Sequence, residues 1–253
     1  MTVQSRWKPV FFIAGQLVAV LLLVSWWVEA SPLKAFWEEL DRRVFYWLNG
    51  LLAEDTEART FWAVANNRWF DLVGACLFGL IFLQYVLADQ QGFTAQRIGL
   101  FFFLLLFSAL VVLLVDQGFE KVERNSPSLV LKPVYKLSEL VPQIKSKDGS
   151  GQSFPSDHAI YLFMWSGFYF LFLGWVRGLF ALVLALILTT PRLVSGAHWF
   201  TDNYVGGLSI ALIGFTWMAA TPLRQKAMVW LTPFGRLLAP VLLQPLRWLR
   251  LIR

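Results

Sequence analysis

The chain has few histidines, cysteines and charged residues, and each shortage excludes a class of protein. Its two histidines, His158 and His198, are too few for a histidine-rich metal centre. Its one cysteine, Cys76, cannot form a disulfide within the chain. Charged residues make up 15% of the 253 residues, whereas soluble domains contain about a quarter. We therefore expect that the protein binds no metal or other cofactor and that it is not a soluble domain.

Apolar and aromatic residues dominate instead. Hydrophobic residues make up 57% of the chain, with 13 Trp and 23 Phe, and the mean hydropathy is +0.58. Six apolar runs approach the length of about 20 residues that crosses a bilayer: 9–28, 69–87, 98–115, 159–176, 178–194 and 204–221. They predict one all-α polytopic membrane domain over residues 1–253, with six transmembrane helices. The first run exceeds the 7–15 apolar residues of a signal peptide, which favours a retained anchor.

Basic residues in the short loops predict the orientation in the membrane. Arg6 and Lys8 precede the first run, Arg97 follows the second, and Arg177 separates the fourth from the fifth. An even number of spans places all of them, and both termini, in the cytoplasm. The outer face then holds segments 29–68, 116–158 and 195–203. Residues 33–52 have apolar residues at helical spacing and predict an amphipathic helix lying on that face.

The C-terminal segment 222–253 is basic and rich in Leu and Trp. Six bases and no acid lie between residues 221 and 253: Arg224, Lys226, Arg236, Arg247, Arg250 and Arg253. This composition predicts an interfacial tail on an anionic membrane, and no nucleic-acid partner is expected. Its four prolines predict that no single long helix forms there.

Polar residues cluster at the predicted outer ends of the last spans. Arg192 lies at depth near the end of the fifth span, where a charge needs a partner or a function. His198 and Asp202 are four residues apart, so on a helix they would share a face, and the carboxylate would fix the imidazole tautomer. Gly196 allows a turn between Arg192 and His198. An Asp that caps the sixth span beside an interfacial His is the alternative interpretation.

Two further clusters precede these residues. Pro155 and Ser156 are typical of a helix start, where backbone amides attract phosphate, and His158 follows in the first turn. Lys121 and Arg124 are one helical turn apart and together suit a dianion. An ordinary helix cap and a solvated surface helix are the alternatives for these two clusters.

The three clusters, in this order, resemble the type 2 phosphatidic acid phosphatase superfamily, which shares its site with vanadium-dependent haloperoxidases. Arg192, His198 and Asp202 match its Arg-x5-His-x3-Asp motif. Residues 155–158, Pro-Ser-Asp-His, match its Pro-Ser-Gly-His motif with Asp for Gly, a variant that looks like some undecaprenyl pyrophosphate phosphatases. The first motif, Lys-x6-Arg-Pro, fits poorly: Ser126 stands at the Arg position and Phe119 at the Lys position. The motif region covers about 120–205.

The resemblance implies a metal-free phosphatase of a membrane lipid, at the periplasmic face of a bacterial inner membrane. It implies that His198 is the nucleophile, Asp202 orients it, and His158 is the acid and base. Arg192 and Ser156, with Lys121 and Arg124, would then bind the phosphate. The substrate is a phospholipid or a polyprenyl (pyro)phosphate.

Three other functions remain as alternatives. A lipid phosphotransferase would deliver the phosphate from His198 to an acceptor such as lipid A. A non-catalytic protein that binds anionic lipids would suit the degraded first motif. A channel or transporter is disfavoured, because ionisable groups are absent from the middle of the spans.

Overall fold

The computed structural model describes residues 7–53, 56–89, 92–119 and 122–248. Over these ranges the chain is helical and contains no strand, only an isolated bridge between Arg124 and Gln152. The helices are α1 (Pro9–Trp27), α2 (Pro32–Gly50), α3 (Thr56–Ala65), α4 (Arg68–Leu87), α5 (Thr94–Phe119), α6 (Pro127–Val130), α7 (Leu137–Leu140), α8 (Asp157–Phe172), α9 (Trp175–Val194), α10 (Leu208–Ala220) and α11 (Leu223–Trp248). A π-helical turn, Asp202–Gly207, leads into α10.

Six helical segments of the described chain are long and apolar enough to cross a membrane: Pro9–Trp27, Arg68–Leu87, Thr94–Gly118, Trp175–Val194, Asp202–Ala220 and Leu223–Gln244. The predicted all-α membrane fold and its six spans are confirmed, but one member differs. The predicted span 159–176 corresponds to α8, whose 16 residues extend about 24 Å. That is shorter than a hydrocarbon core of about 30 Å. α11 meets the length criterion instead.

The boundary between the fourth and fifth predicted spans lies earlier than the sequence indicates. α8 ends at Phe172 and α9 begins at Trp175, so Arg177 belongs to the first turn of α9. Gly174 lies between them with φ of 94°, a conformation that favours glycine. The glycine, and not the charge at Arg177, therefore separates the two helices.

The prediction that prolines interrupt the C-terminal segment is wrong, because α11 is one helix. Three prolines lie within it: Pro233, Pro240 and Pro245. An interior proline costs a backbone hydrogen bond, and close packing against α5 offsets that cost. Gly99 of α5 and Gly235 of α11 let the two backbones approach until a Cβ at either position would overlap the other helix.

α8 lies in the centre of the bundle and packs against α5, α9 and α10. Its inward residues are large and fully buried, among them Ile160, Met164 and Phe168. The Tyr169 hydroxyl donates to the Phe78 carbonyl over 2.6 Å, which ties α8 to α4. This buried helix therefore holds its first turn, with Ser156 and His158, in a fixed place.

The two ends of the bundle differ in chemistry. At one end the Lys8 amide donates to the Ala220 carbonyl, Arg177 donates to Gln84, and Arg97 pairs with Asp89. The opposite end, called here the motif end, is formed by residues 122–157 and 195–203. The described loop bases expected on one side of the membrane thus share one end of the bundle, and the predicted site residues occupy the other.

Candidate functional site

His198 lies in a tight turn after α9. Gly196 has φ of 73°, in the left-handed region that the turn requires, as the sequence predicts. The amides of Ala197 and His198 both donate to the Arg192 carbonyl, at 3.0 and 3.2 Å. The His198 ring is buried, and its Nδ1 lies 2.9 Å from the Ser153 carbonyl oxygen. This contact makes Nδ1 the protonated nitrogen and leaves Nε2 as the nitrogen with a free lone pair.

Asp202 lies beside His198, but the two are not on one regular helix. His198 precedes the helical residues, so the expected helix-face arrangement is wrong. The Asp202 Oδ2 accepts from the Trp199 amide over 2.7 Å, as a cap, and lies 3.5 Å from His198 Nδ1. Asp202 therefore acts as a helix cap and also lies next to His198, whose nearer acceptor is the Ser153 carbonyl.

Arg124 is held between two buried carboxylates. Its guanidinium contacts Asp202 and Asp41, the latter at 2.7 Å, and it lies over the Trp26 and Trp199 rings. The segment around it is extended, so the predicted helical-turn pairing with Lys121 does not describe its surroundings. Lys121 itself lies outside the described residues. Because Arg124 is engaged on both sides, it holds Asp202 in place in this structure.

Asp41 of α2 completes this network and is absent from the sequence prediction. Its carboxylate accepts from the Thr201 amide over 2.9 Å and from the Thr201 hydroxyl over 2.7 Å, besides Arg124. Burial raises the pKa of Asp41 above its ordinary value, while Arg124 and the Thr201 hydrogen bonds oppose that rise. The predicted amphipathic helix at 33–52 is thus confirmed as α2, and it buries the Asp41 carboxylate against Arg124 and Thr201.

Arg192 has the partner that its depth requires. Its guanidinium forms two bonds to the Asp71 carboxylate, at 3.0 and 3.2 Å, and two to Asn66, both at 2.8 Å. Asp71 also lies 3.9 Å from Nδ1 of His158, whose Nε2 is 3.3 Å from the Leu188 carbonyl oxygen. Arg192 and His158 are therefore brought together through Asp71.

Ser156 caps α8, as predicted. Its hydroxyl accepts from the Ala159 amide over 3.3 Å, and its own amide donates to the Asp202 carbonyl over 3.1 Å. The helix start is therefore bonded directly to the turn that carries His198.

Two cavities open on either side of this helix start. The first, about 420 Å³, is lined by His198, Lys147, Gln152, Asp157 and Asp116, with apolar residues of α5. The second, about 310 Å³, lies between α4, α5 and α8, with Asp71 and His158 at its polar end and an apolar remainder. The two predicted histidines thus line neighbouring cavities.

Lys147 is a site residue that the sequence prediction missed. Burial lowers the pKa of its ammonium, with Asp157 and Asp71 opposing that fall and Arg192 and Arg68 adding to it. Lys147 therefore shares an electrostatic environment with both the His198 cavity and the Arg192 group. Across the described part of the chain, no three His, Cys, Asp or Glu side chains are grouped as a metal site would require.

The missed residues differ in the signal they left in the sequence. Asp71 is an ionisable residue in the first turn of an apolar span, a position that indicates function by itself. The sequence gives no such indication for Asn66, Asp41 and Lys147. Each is a polar residue in a polar segment, and only the folding of the chain brings it to the site.

The arrangement defines a membrane-embedded helical bundle whose motif end combines a histidine–aspartate pair with arginine and lysine side chains. Comparison with known proteins gives the family. The PAP2 superfamily profile matches residues 127–227. Lipid A 1-diphosphate synthase of Escherichia coli (strain K12) is 33% identical over 210 residues, which cover 83% of this chain and 87% of that protein. The chain belongs to the PAP2 superfamily, whose members are phosphatases or phosphotransferases acting on lipid phosphates. No solved structure matches it.

Proposed function

We propose that this protein transfers a phosphoryl group from a lipid phosphate or pyrophosphate through a phosphohistidine at His198, and delivers it to an acceptor lipid. The observation that carries the proposal is the bond from His198 Nδ1 to the Ser153 carbonyl, which leaves Nε2 as a nucleophile beside a polar cavity. The similarity to a lipid A 1-diphosphate synthase favours a lipid acceptor over water.

The reaction has two steps. In the first, the Nε2 lone pair of His198 forms a bond to phosphorus, the bond from phosphorus to the leaving oxygen breaks, and that oxygen takes a proton from His158. In the second, an acceptor oxygen bonds to phosphorus, the N–P bond breaks, and the acceptor proton passes to His158. Asp202 and the Ser153 carbonyl stabilise the charge on the His198 ring.

The phosphate contacts come from groups that other residues hold in place. Arg192, Ser156 and the amides at the start of α8 supply donors for the phosphoryl oxygens. When the substrate binds, the Arg192 guanidinium leaves the Asp71 carboxylate and donates to the phosphoryl oxygens instead. Arg124 acts on the site through Asp202, and Lys121 remains a proposed phosphate ligand from the sequence alone.

The surroundings of the site suit a lipid. The apolar groove beside His158 lies between helices that meet the hydrocarbon phase, so an acyl or prenyl chain stays in lipid while its phosphate enters the motif end. We place the motif end in the periplasm of a bacterial inner membrane, with both termini in the cytoplasm. α8 then crosses the membrane with α9 and α10. α11, although long and apolar enough to cross, lies at the inner interface, where its Gly235 meets Gly99 near the Arg97 end of α5. Lys8, Arg97, Arg177 and Arg224 would then lie on the cytoplasmic side.

The acceptor is tested with purified protein in detergent containing EDTA. Labelled undecaprenyl pyrophosphate, phosphatidylglycerophosphate and phosphatidic acid serve as donors, each with and without lipid A, beside the His198→Ala variant. Label in lipid A supports transfer. Release of inorganic phosphate that lipid A does not reduce supports hydrolysis instead. No reaction, or equal reaction by the variant, refutes the histidine route and leaves a protein that only binds anionic lipids.

A further inference from the structure

Lys147 is the only lysine or arginine among the described residues that line the 420 Å³ cavity with His198. Asp157, Asp116 and Gln152 are the other polar residues that line it, besides His198 itself. A phosphoryl group brought to His198 therefore meets carboxylates on the cavity wall and one ammonium. Without that ammonium, the described wall of the cavity would repel an anion.

The two arginines near His198 are already engaged. Arg124 lies between Asp41 and Asp202, and Arg192 is bound by Asp71 and Asn66. By contrast, no described residue forms a hydrogen bond or ion pair with the Lys147 ammonium. A cation without a partner in a half-buried cavity is in an unfavourable state that an anionic ligand would relieve.

Two hydrogen bonds to its carbonyl hold the backbone of Lys147, so its side chain starts from a fixed point beside the cavity. Its carbonyl accepts from Asn66 Nδ2 over 2.7 Å and from Ser195 Oγ over 3.2 Å. Asn66 is the residue that also binds Arg192, and Ser195 precedes the His198 turn. The same two hydrogen bonds therefore set Lys147 relative to both Arg192 and His198.

A second set of contacts holds the rest of this segment. Ser126 and Ser150 are joined by two hydrogen bonds, each 2.9 Å, and the Ser128 hydroxyl donates to the Asp148 carbonyl. The Ser128 amide donates to the Gly196 carbonyl over 3.1 Å, next to His198. The residues that follow Lys147 are thus held, through Ser126 and Ser128, on the turn that carries His198.

We propose that Lys147 binds the phosphoryl oxygens of the lipid substrate in the His198 cavity, as a phosphate-binding cation of this site in addition to Arg192. The proposal rests on the proposed function and adds a residue whose positive charge pairs with the negative charge of the phosphoryl group. Asp157, Asp71, Arg192 and Arg68 are the charged groups that act on this ammonium from α8, α4 and α9. Lysine suits this role because it offers a compact charge that rotates to meet a reacting phosphate.

The first test measures anion binding without any catalysis. The full-length protein in detergent is treated briefly with an acetylating reagent, and the modification of each lysine is followed by peptide mass spectrometry. Inorganic phosphate should slow acetylation of Lys147 several-fold, while sodium chloride of equal ionic strength should not. Lys145, exposed and two residues away, is the internal reference and should show no protection. Equal protection, or none, at both lysines overturns the proposal.

The second test compares variants in the phosphoryl-transfer assay. Lys147→Ala should lower kcat by about 100-fold, the loss typical of one transition-state donor, and Lys147→Arg should recover part of it. Lys145→Ala should equal wild type. An active wild type with an equally active Lys147→Ala variant overturns the proposal and leaves the proposed function standing. An inactive wild type whose Lys147 is still protected by phosphate refutes the proposed function but retains the anion site.

Discussion

Asp41→Asn tests the buried network that connects α2 to the site. The asparagine keeps one oxygen for the Thr201 amide, but its new NH₂ group replaces Oδ2, the atom that accepts from both the Arg124 guanidinium and the Thr201 hydroxyl. The NH₂ group and the guanidinium, both donors, then face each other in a buried place. Breaking a buried ion pair costs about 3–5 kcal/mol, and here Arg124 keeps Asp202. We therefore expect a loss of about 2–4 kcal/mol.

The assay for Asp41→Asn is thermal unfolding in detergent, with phosphoryl transfer measured in parallel. A loss of this size should lower Tm by at least about 4 °C for a protein of this length. The rate should fall as well, because Arg124 holds the Asp202 carboxylate beside His198. Glu39→Gln on the same helix is the matched control and should change neither quantity, since Glu39 pairs with Arg42 and Arg43 in solvent. An Asp41→Asn variant with the Tm and rate of wild type would refute the account of this network.

Two further predictions concern the turn and the cavity. Gly196→Ala should destabilise the protein by more than about 1 kcal/mol, because alanine is strained at φ of 73° and its Cβ would lie 2.7 Å from the Phe45 ring. Thermal unfolding in detergent measures the change, and a variant with the Tm of wild type would contradict the turn geometry. The rate of phosphoryl transfer should fall on the alkaline side at a lower pH than for an ordinary lysine, because burial lowers the pKa of Lys147 and the neutral amine cannot bind phosphate. Lys147→Arg should move this fall to higher pH, since arginine keeps its charge. If the pH profile of Lys147→Arg equals that of wild type, a group other than Lys147 causes the alkaline fall in rate.

The helical fold could be predicted because its signal is local. Runs of apolar residues located five of the six segments that can cross a membrane within the described ranges, and Ser156 marked the start of α8. α11 could not be predicted in this way, because the sequence shows the cost of its prolines but not the contact between Gly99 and Gly235 that offsets it. Packing between residues 136 positions apart leaves no local pattern.

The site was predictable where its residues follow one another in the chain. His198, Asp202 and Arg192 lie within eleven residues, so their closeness was expected, although the helix-face arrangement proposed for His198 and Asp202 was wrong. The partners that hold them come from distant segments: Asp41 for Arg124, Asp71 for Arg192, and the Ser153 carbonyl for His198. A backbone carbonyl has no sequence signature, so the acceptor nearest to His198 could not be found without the fold.

The proposed function depends above all on Nε2 of His198 carrying the phosphoryl group. Its most direct test is to quench the full-length protein under alkaline conditions during reaction with ³²P-labelled lipid pyrophosphate and to map the label by mass spectrometry. We expect an acid-labile phosphohistidine at His198, in its Nε2 isomer, that decays when lipid A is added and is absent from His198→Ala. Label at Nδ1, at another residue, or nowhere while turnover continues would contradict it.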